Sequence, residues 1–407
     1  MPSNAQNAII VGAGPCGLYT ALTLHQNGIK STIYELRPQP STIGGAVNLT
    51  PVAIRLLEAV SVSLDDLGCP VSQIEIYSLH SGKRLGLDPY PGPDGTGAGA
   101  LRILRKDLQQ AMIKAVKKVG ISVEFGAKLV GVSEDDHGVT AMFEDGKTAT
   151  ADFLLGCDGV HSAVRRSYVD PSRQAKYTQI STAYATIPRA QIQSPLHFDT
   201  TSFNTSAKGS ILISLYTRAK EDLYFAALMS TPEEGDRQGW VARGADREAT
   251  LKELRRRFND VSVPCVKDMV KAAEEVDFLF YPIFCLSAGG QWQRGRVLLL
   301  GDAAHAMPPQ GESTGLAFED GALLGKVFNL YGKTKPLAEV FQVYERTRRP
   351  GIDIACSKAE WGWKNVADSS WLVAKMMEWL TGWYLWWTSA TRIKDREYDI
   401  RTKELVL

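Results

Sequence analysis

Apolar positions change their spacing several times along the chain, and each change predicts an element. Ala8-Ile-Ile-Val11 is an unbroken apolar run ended by Gly12, as expected of a strand buried on both faces. A helix with Leu18, Ala21 and Leu22 on one side follows, then a second strand, Ser31-Thr-Ile-Tyr-Glu35. Leu108, Met112, Ala115, Val116 and Val119 recur at helical spacing, with Asp107 as the candidate N-cap. From Ile121 to Leu155 the pattern alternates like a small meander turning at Glu144-Asp145-Gly146. Val71 to His80, with Ser81-Gly82 as a turn, predicts a hairpin. The stretch 177–282 adds strands, including Ser210–Tyr216 and Leu223–Met229, around a helix near Ala249–Phe258. Val297-Leu-Leu-Leu300 is another apolar run; Gly301-Asp302, a Pro-locked loop and small residues opening a helix come after it.

Strand, helix and strand in succession, followed by β-rich inserts, predict an α/β fold of more than one unit. The expected division gives 1–70, 97–176 and 283–350 to a discontinuous Rossmann-like domain, and 71–96 with 177–282 to a β-rich domain. Residues 351–407 form a helical tail. At 407 residues the chain exceeds one ordinary core. A net charge of +1 gives it no bulk attraction to nucleic acid. The six cysteines are scattered without CxxC spacing, which argues against disulfides and zinc and for a reducing compartment. Ala8 begins the fold too soon for a leader segment, so a cytoplasmic location is expected. Seven of the nine tryptophans fall between Trp361 and Trp387. Trp379, Trp383, Trp386 and Trp387 share a helical face interrupted by charge, so packing over the β-rich domain is expected. A partner surface and peripheral membrane contact stay open.

Gly12-Ala13-Gly14-Pro-Cys-Gly17 stands between a predicted strand and helix, with Glu35 ending the next strand. The glycines permit a tight turn and close approach to a pyrophosphate, and the acid can accept ribose hydroxyls. Glu35 would repel a 2′-phosphate, which leaves NAD or FAD. Gly44-Gly45-Ala46, Arg105 ahead of a helix, the segment Cys157-Asp158-Gly159-Val160-His161-Ser162-Ala163-Val164-Arg165, and Gly301-Asp302-Ala-Ala-His305 complete the set. Asp158 and Asp302 each end an apolar strand, where a carboxylate must find donors. Arg165 and a helix N-terminus are the donors expected for Asp158. No second strand-embedded GxGxxG occurs.

These motifs, in this order, resemble the class A FAD-dependent monooxygenases related to para-hydroxybenzoate and salicylate hydroxylases, of the kind found in fungal secondary metabolism. The resemblance implies a glutathione-reductase-type FAD domain roofed by an inserted β-sheet that forms the substrate pocket. It implies bound FAD, transient NAD(P)H, and dioxygen delivered to an electron-rich, aromatic small molecule through a flavin C4a-hydroperoxide. It assigns Gly12, Ala13, Gly14, Gly17 and Glu35 to the dinucleotide, Gly45 and Ala46 to the ring's side, and Arg105 to the ribityl and phosphate region. It further assigns backbone near Val130 to adenine, Asp158 to flavin and nicotinamide, Asp302 to the ribityl hydroxyls, and the helix opening from Gly311 through Gly315 to Leu316 to the reduced ring. Tyr216 and Tyr224 are candidate substrate contacts, although packing in a strand is the better account of both, and His305 reads as structural. No catalytic residue is assigned. Tyr184-Ala185 departs from the Tyr-Arg pair of some relatives, and Glu312 and Ser313 stand where Gln and Gly are usual. Isoprenoid epoxidation, a flavin oxidase or reductase, and a non-catalytic binding protein remain as alternatives.

Overall fold

The structure is a computed structural model, and it describes residues 5–41, 44–308, 313–364, 368 and 370–407. Among these, a six-stranded sheet runs in the order 293–294, 297–299, 153–156, 7–11, 30–35, 122–125, parallel except for its first short strand. Ile9, Ile10, Leu154, Leu155, Val297 and Leu298 are all buried, as strands covered on both faces require. Register sets Val11 beside Gly156 and Tyr34, and Gly156 beside Leu299. Four strands therefore end at one edge, which brings Gly12, Glu35, Asp158 and Gly301-Asp302 together from distant parts of the sequence. Ligands of open α/β sheets bind at this C-terminal edge.

Two local expectations change. The predicted meander is a three-stranded antiparallel sheet of Leu129–Glu134, Val139–Phe143 and Thr148–Ala151. The outer parts of that stretch, Ser122–Phe125 and Phe153–Gly156, join the parallel sheet instead. Alternation reports strands but not which sheet each one joins. Asp107 is not an N-cap: Ala100–Leu104 pairs with Ala46–Leu49 to its last residue, so the helix Arg105–Lys118 starts at Arg105 and Asp107 lies in its first turn. There it still favours the positive end of the peptide dipoles.

A seven-stranded sheet, 279–285, 176–188, 222–230, 209–215, 201–206, 73–78 and 84–89, forms the second layer. Along its central strands the side chains alternate between two faces. Ala183, Ala185, Ile213, Leu223, Phe225 and Met229 enter an apolar core with helices Arg247–Phe258 and Pro264–Ala272. Tyr184, Tyr224 and Ala226 face the other way, toward Ala46 and Leu104. Between the layers lies a small sheet of Ala46–Leu49, Ala100–Leu104 and Cys69–Val71.

The helix Leu337–Lys364 continues through Pro350. The tail helix Trp371–Glu397 is capped by Ser370, whose side chain accepts from Val373 N. It does lie over the β-rich domain, but not through its tryptophans. Leu385 seats on Gly86, Glu378 accepts from the Ser78 hydroxyl, and Arg392 and Arg396 both pair with Asp88. Gly382 lets the helix backbone approach Leu85. That inward side leaves the tryptophans outside: Trp379 is 74% and Trp386 76% exposed. Among the described residues no helix is long and apolar enough to cross a membrane.

Candidate active site

The dinucleotide turn is built first by the backbone. Gly12 has φ +107°, and a Cβ there would lie 2.4 Å from the carbonyl oxygen of Cys157. Only glycine meets both conditions. Glu35 reaches back to the turn, accepting from Ala13 N at 2.7 Å and from Arg37 N at 3.0 Å. Gln109, which the sequence patterns did not single out, donates to the Ala13 carbonyl at 2.9 Å. Gly14 and Gly17 open the helix Pro15–Gln26, Gly17 lying against the backbone of Gly12. Val130 falls at a bulge, opposite no residue of the neighbouring strand, so its backbone is left out of the ladder.

Asp158 follows the Phe153–Gly156 strand. Its Oδ2 accepts from Ala163 N at 2.6 Å and Val164 N at 3.1 Å, while Oδ1 has no partner among the described residues. Burial pushes its carboxyl up against the pull of those donors. Arg165, expected as a partner of Asp158, does another job: it donates to the carbonyls of Val160, Ala303 and Arg173. Burial brings this guanidinium down to about 10. The same bolt is repeated by Arg173, which donates to Ala304 O at 2.8 Å. The single turn Asp302–His305 cannot satisfy its own carbonyls, and two arginines satisfy them instead.

The other side of that turn rests on a buried charge network. Asp320 Oδ2 accepts from Gly301 N and His305 Nε2, each at 2.7 Å, and Oδ1 accepts from Arg348 Nε at 2.7 Å. Arg348 also pairs with Glu319 at 2.8 Å. Burial works against the charge on Asp320, yet His305 and Arg348 hold it down at about 2. His305 is thus structural, as its sequence context suggests. Asp320 and Arg348 were missed because neither sits in a glycine-rich motif; their signal is only two charges within apolar helices.

So framed, Asp302 turns its side chain into the seam between the layers. It is open to that seam but lies deep among protein atoms, and burial pushes its carboxyl up, partly countered by His305 and Arg105. Arg105 donates its backbone N–H to Gly45 O at 3.0 Å and lays its side chain against Gly44. Gly45 lies directly against the roof: a Cβ there would lie 1.9 Å from the Tyr224 ring. Tyr184 and Tyr224 are diagonal neighbours, ring centres 6.1 Å apart, and Tyr281 is the diagonal neighbour of Tyr184 on the other side. Burial raises all three phenols, Tyr184 to about 12, so they are neutral donors at physiological pH. Tyr216 belongs to the same cluster and is likewise pushed up to about 12 by burial. Ala185 lies in the opposite, helix-covered core, so no arginine enters the seam from that position. Gly315 lies in the helix Ser313–Tyr331, packed near Ala53 and Thr50; residues 309–312, including Gly311 and Glu312, lie outside the described residues.

A family model described as "FAD binding domain" matches residues 5–355. The chain belongs to that family. It is 27% identical over 345 residues to the FAD-dependent urate hydroxylase of Klebsiella pneumoniae, covering 84% of this chain and 85% of the relative. It is 26% identical to the 6-hydroxynicotinate 3-monooxygenase of Bordetella bronchiseptica, covering 83% and 86%. In fold it matches Klebsiella pneumoniae HpxO complexed with FAD and uric acid, at a TM-score of 0.74 and 24% identity over 97% and 93% of the chains. The family is thus that of class A flavin-dependent hydroxylases, and FAD is its cofactor.

The residues present fit that cofactor. The Gly12 turn leaves no side chain between backbone and a pyrophosphate, Asp158 keeps one buried oxygen unpartnered, and Val130 keeps its backbone out of the ladder.

Proposed function

We infer that this protein is an NAD(P)H-dependent monooxygenase that inserts one oxygen atom of dioxygen into an electron-rich, aromatic small molecule. The division proposed from the sequence goes with it: FAD on 1–70, 97–176 and 283–350, substrate beneath 71–96 and 177–282, and the tail from 351. When bound, FAD supplies two-electron reduction and the activation of dioxygen. The chain supplies everything else. Glu35 and the Gly12-Ala13-Gly14 turn would hold the adenosine and pyrophosphate, with Gly17 behind them. Asp302 would accept from ribityl hydroxyls, and Arg105 would neutralise negative charge nearby. Gly45 and Ala46, with no bulky side chain, would leave room beside the ring. Tyr184, Tyr224 and Tyr281 close the seam from above, exclude water and present neutral O–H donors to substrate.

The observation that carries this reading is that Asp302, Arg105 and Gly45 converge at one seam roofed by the tyrosine face of a second sheet, with Asp158 beside the Gly12 turn at the same sheet edge. The test is oxygen labelling: purified protein with FAD, NAD(P)H and a panel of phenols, pyridines and purines is run under ¹⁸O₂. Product carrying one labelled atom, with substrate-stimulated NAD(P)H oxidation, is expected. Conversion without label would make the protein an oxidase or reductase, and failure to retain FAD would end the reading.

A further inference from the structure

Floor and roof of the seam carry buried polar groups that the protein itself does not satisfy. On the floor, Val47 and Leu49 enter the main core, so Ala46 and Asn48 face the seam. On the adjacent strand Leu101 and Ile103 enter the same core, so Arg102 and Leu104 face the seam. Asn48 and Arg102 stand directly opposite in the antiparallel register, their Cβ atoms about 5 Å apart on that geometry. Asn48 is 2% exposed and Arg102 3%. Among the described residues neither amide atom of Asn48 has a hydrogen-bond partner, and neither has Arg102 Nε. Among the described residues no carboxylate is paired with Arg102. The titratable groups that act on it are the thiol of Cys69 and the phenols of Tyr90 and Tyr224; burial raises Cys69 and Tyr224, which keeps both neutral. Across the seam, the hydroxyls of Thr182 and Ser214 are also buried and, among the described residues, without partners.

A buried guanidinium without a counter-charge destabilises the protein that carries it, and a buried amide with both ends unmet adds to the penalty. Such groups fit a ligand that brings the missing charge.

We propose that Asn48 and Arg102 form a subsite for an acidic group of the substrate, a carboxylate or a ring oxyanion, placed in the seam beneath Tyr224. This rests on the monooxygenase reading and names its substrate class. The planar guanidinium offers parallel N–H donors to the anion, the Asn48 amide donates alongside, and the roof hydroxyls take the remaining polar substituents. A neutral hydrocarbon would leave Arg102 unpaired, so the subsite selects acidic aromatic or heteroaromatic compounds over isoprenoids.

The experiment pairs acids with neutral isosteres: hydroxybenzoates and hydroxypyridine carboxylates against their carboxamides. Binding to the FAD-loaded enzyme is read from perturbation of the flavin spectrum, and stabilisation of the flavin-free protein from thermal shift. The acids should bind at least tenfold more tightly than the amides. Arg102→Gln should weaken the acids roughly 10- to 100-fold and the amides by less than about twofold, from the value of a charge-assisted hydrogen bond. Asn48→Leu tests the floor without removing the cation: it should weaken the acids and raise the melting temperature of the ligand-free protein. Equal binding of acids and amides, or equal weakening of both by Arg102→Gln, overturns the subsite. Loss of FAD from Arg102→Gln would assign the cation to the cofactor and likewise overturn it. Retained FAD and ¹⁸O incorporation with no acid preference would sink the subsite and leave the monooxygenase standing. Failure of FAD retention by the parent sinks the monooxygenase reading, while acid-specific thermal shifts lost in Arg102→Gln would still support the subsite.

Discussion

Gly45 shows how one missing side chain serves two layers at once. Its absent Cβ is the space that the Tyr224 ring fills, so Gly45→Ala should be damaging for a steric reason alone. Overpacking of this kind costs about 1–3 kcal/mol. Tyr224→Leu in the same chain should recover most of that loss, and a double-mutant cycle by urea denaturation measures the coupling. Additive effects would mean that the two do not meet. Asp302 gives a prediction of opposite signs. Its carboxyl is raised by burial, so the native protein holds the proton above the pH at which the unfolded chain releases it. Stability therefore falls as pH rises through that interval, starting near the unfolded value of about 3.9. FAD-free Asp302→Asn should be more stable than the parent at pH 7, with the difference vanishing below about pH 4. The same change should weaken FAD roughly 10- to 100-fold, by the value of hydrogen bonds to a charged group. Melting curves across pH, and flavin retention on gel filtration, check both signs.

At the scale of elements, the turn after the Val297–Leu299 strand is too short to hold itself. Arg165 and Arg173 grip it from one side and Asp320 from the other. Asp320→Asn leaves Arg348 with Glu319 and the Leu316 carbonyl, and breaking such a buried network costs about 3–5 kcal/mol near neutral pH. Because Asp320 is held down at about 2, its contribution is fully present above the unfolded value near pH 4 and is lost as pH falls through about 2. Parent and variant should therefore converge in acid, which urea midpoints at pH 7, 4 and 2.5 test. Sequence patterning made the strand, the Gly-Asp end and the following helix legible, since each has a local signature. Arg165, Arg173 and Asp320 left no such trace: their partners on the turn lie 15 to 138 positions away along the chain. The N-cap was misplaced for a related reason. Asp107 looked like a cap locally, and pairing of Ala100–Leu104 with a distant strand fixed the cap at Leu104, three residues earlier.

For the molecule as a whole, the parallel sheet and the tyrosine-faced sheet are two cores that meet at the seam, and FAD would touch the edge of one beneath the other. A ligand bound only by the folded chain stabilises by about 2.7 kcal/mol at a hundred times its Kd. Stripping FAD should lower the melting temperature, and re-addition should restore it in proportion to the logarithm of free FAD. A melting temperature blind to FAD would contradict this placement. The α/β class and the β-rich insertion were legible because period-two and period-3.6 patterns are local. Which face of the insertion looks at the seam became clear only from register, since Tyr184 and Ala185 are equally plausible core residues when read alone.

The outward tryptophans of the tail carry a practical consequence for anyone who follows this protein by its own emission. Six of nine indoles are exposed while Trp292 is only 1% accessible. Light from the native chain will come chiefly from indoles already in contact with water, and a soluble quencher such as acrylamide will extinguish most of it before any denaturant is added. The remaining signal will come from Trp240, Trp292 and Trp363, and the part from Trp292, which packs against His305, is the one to watch when the core lets go.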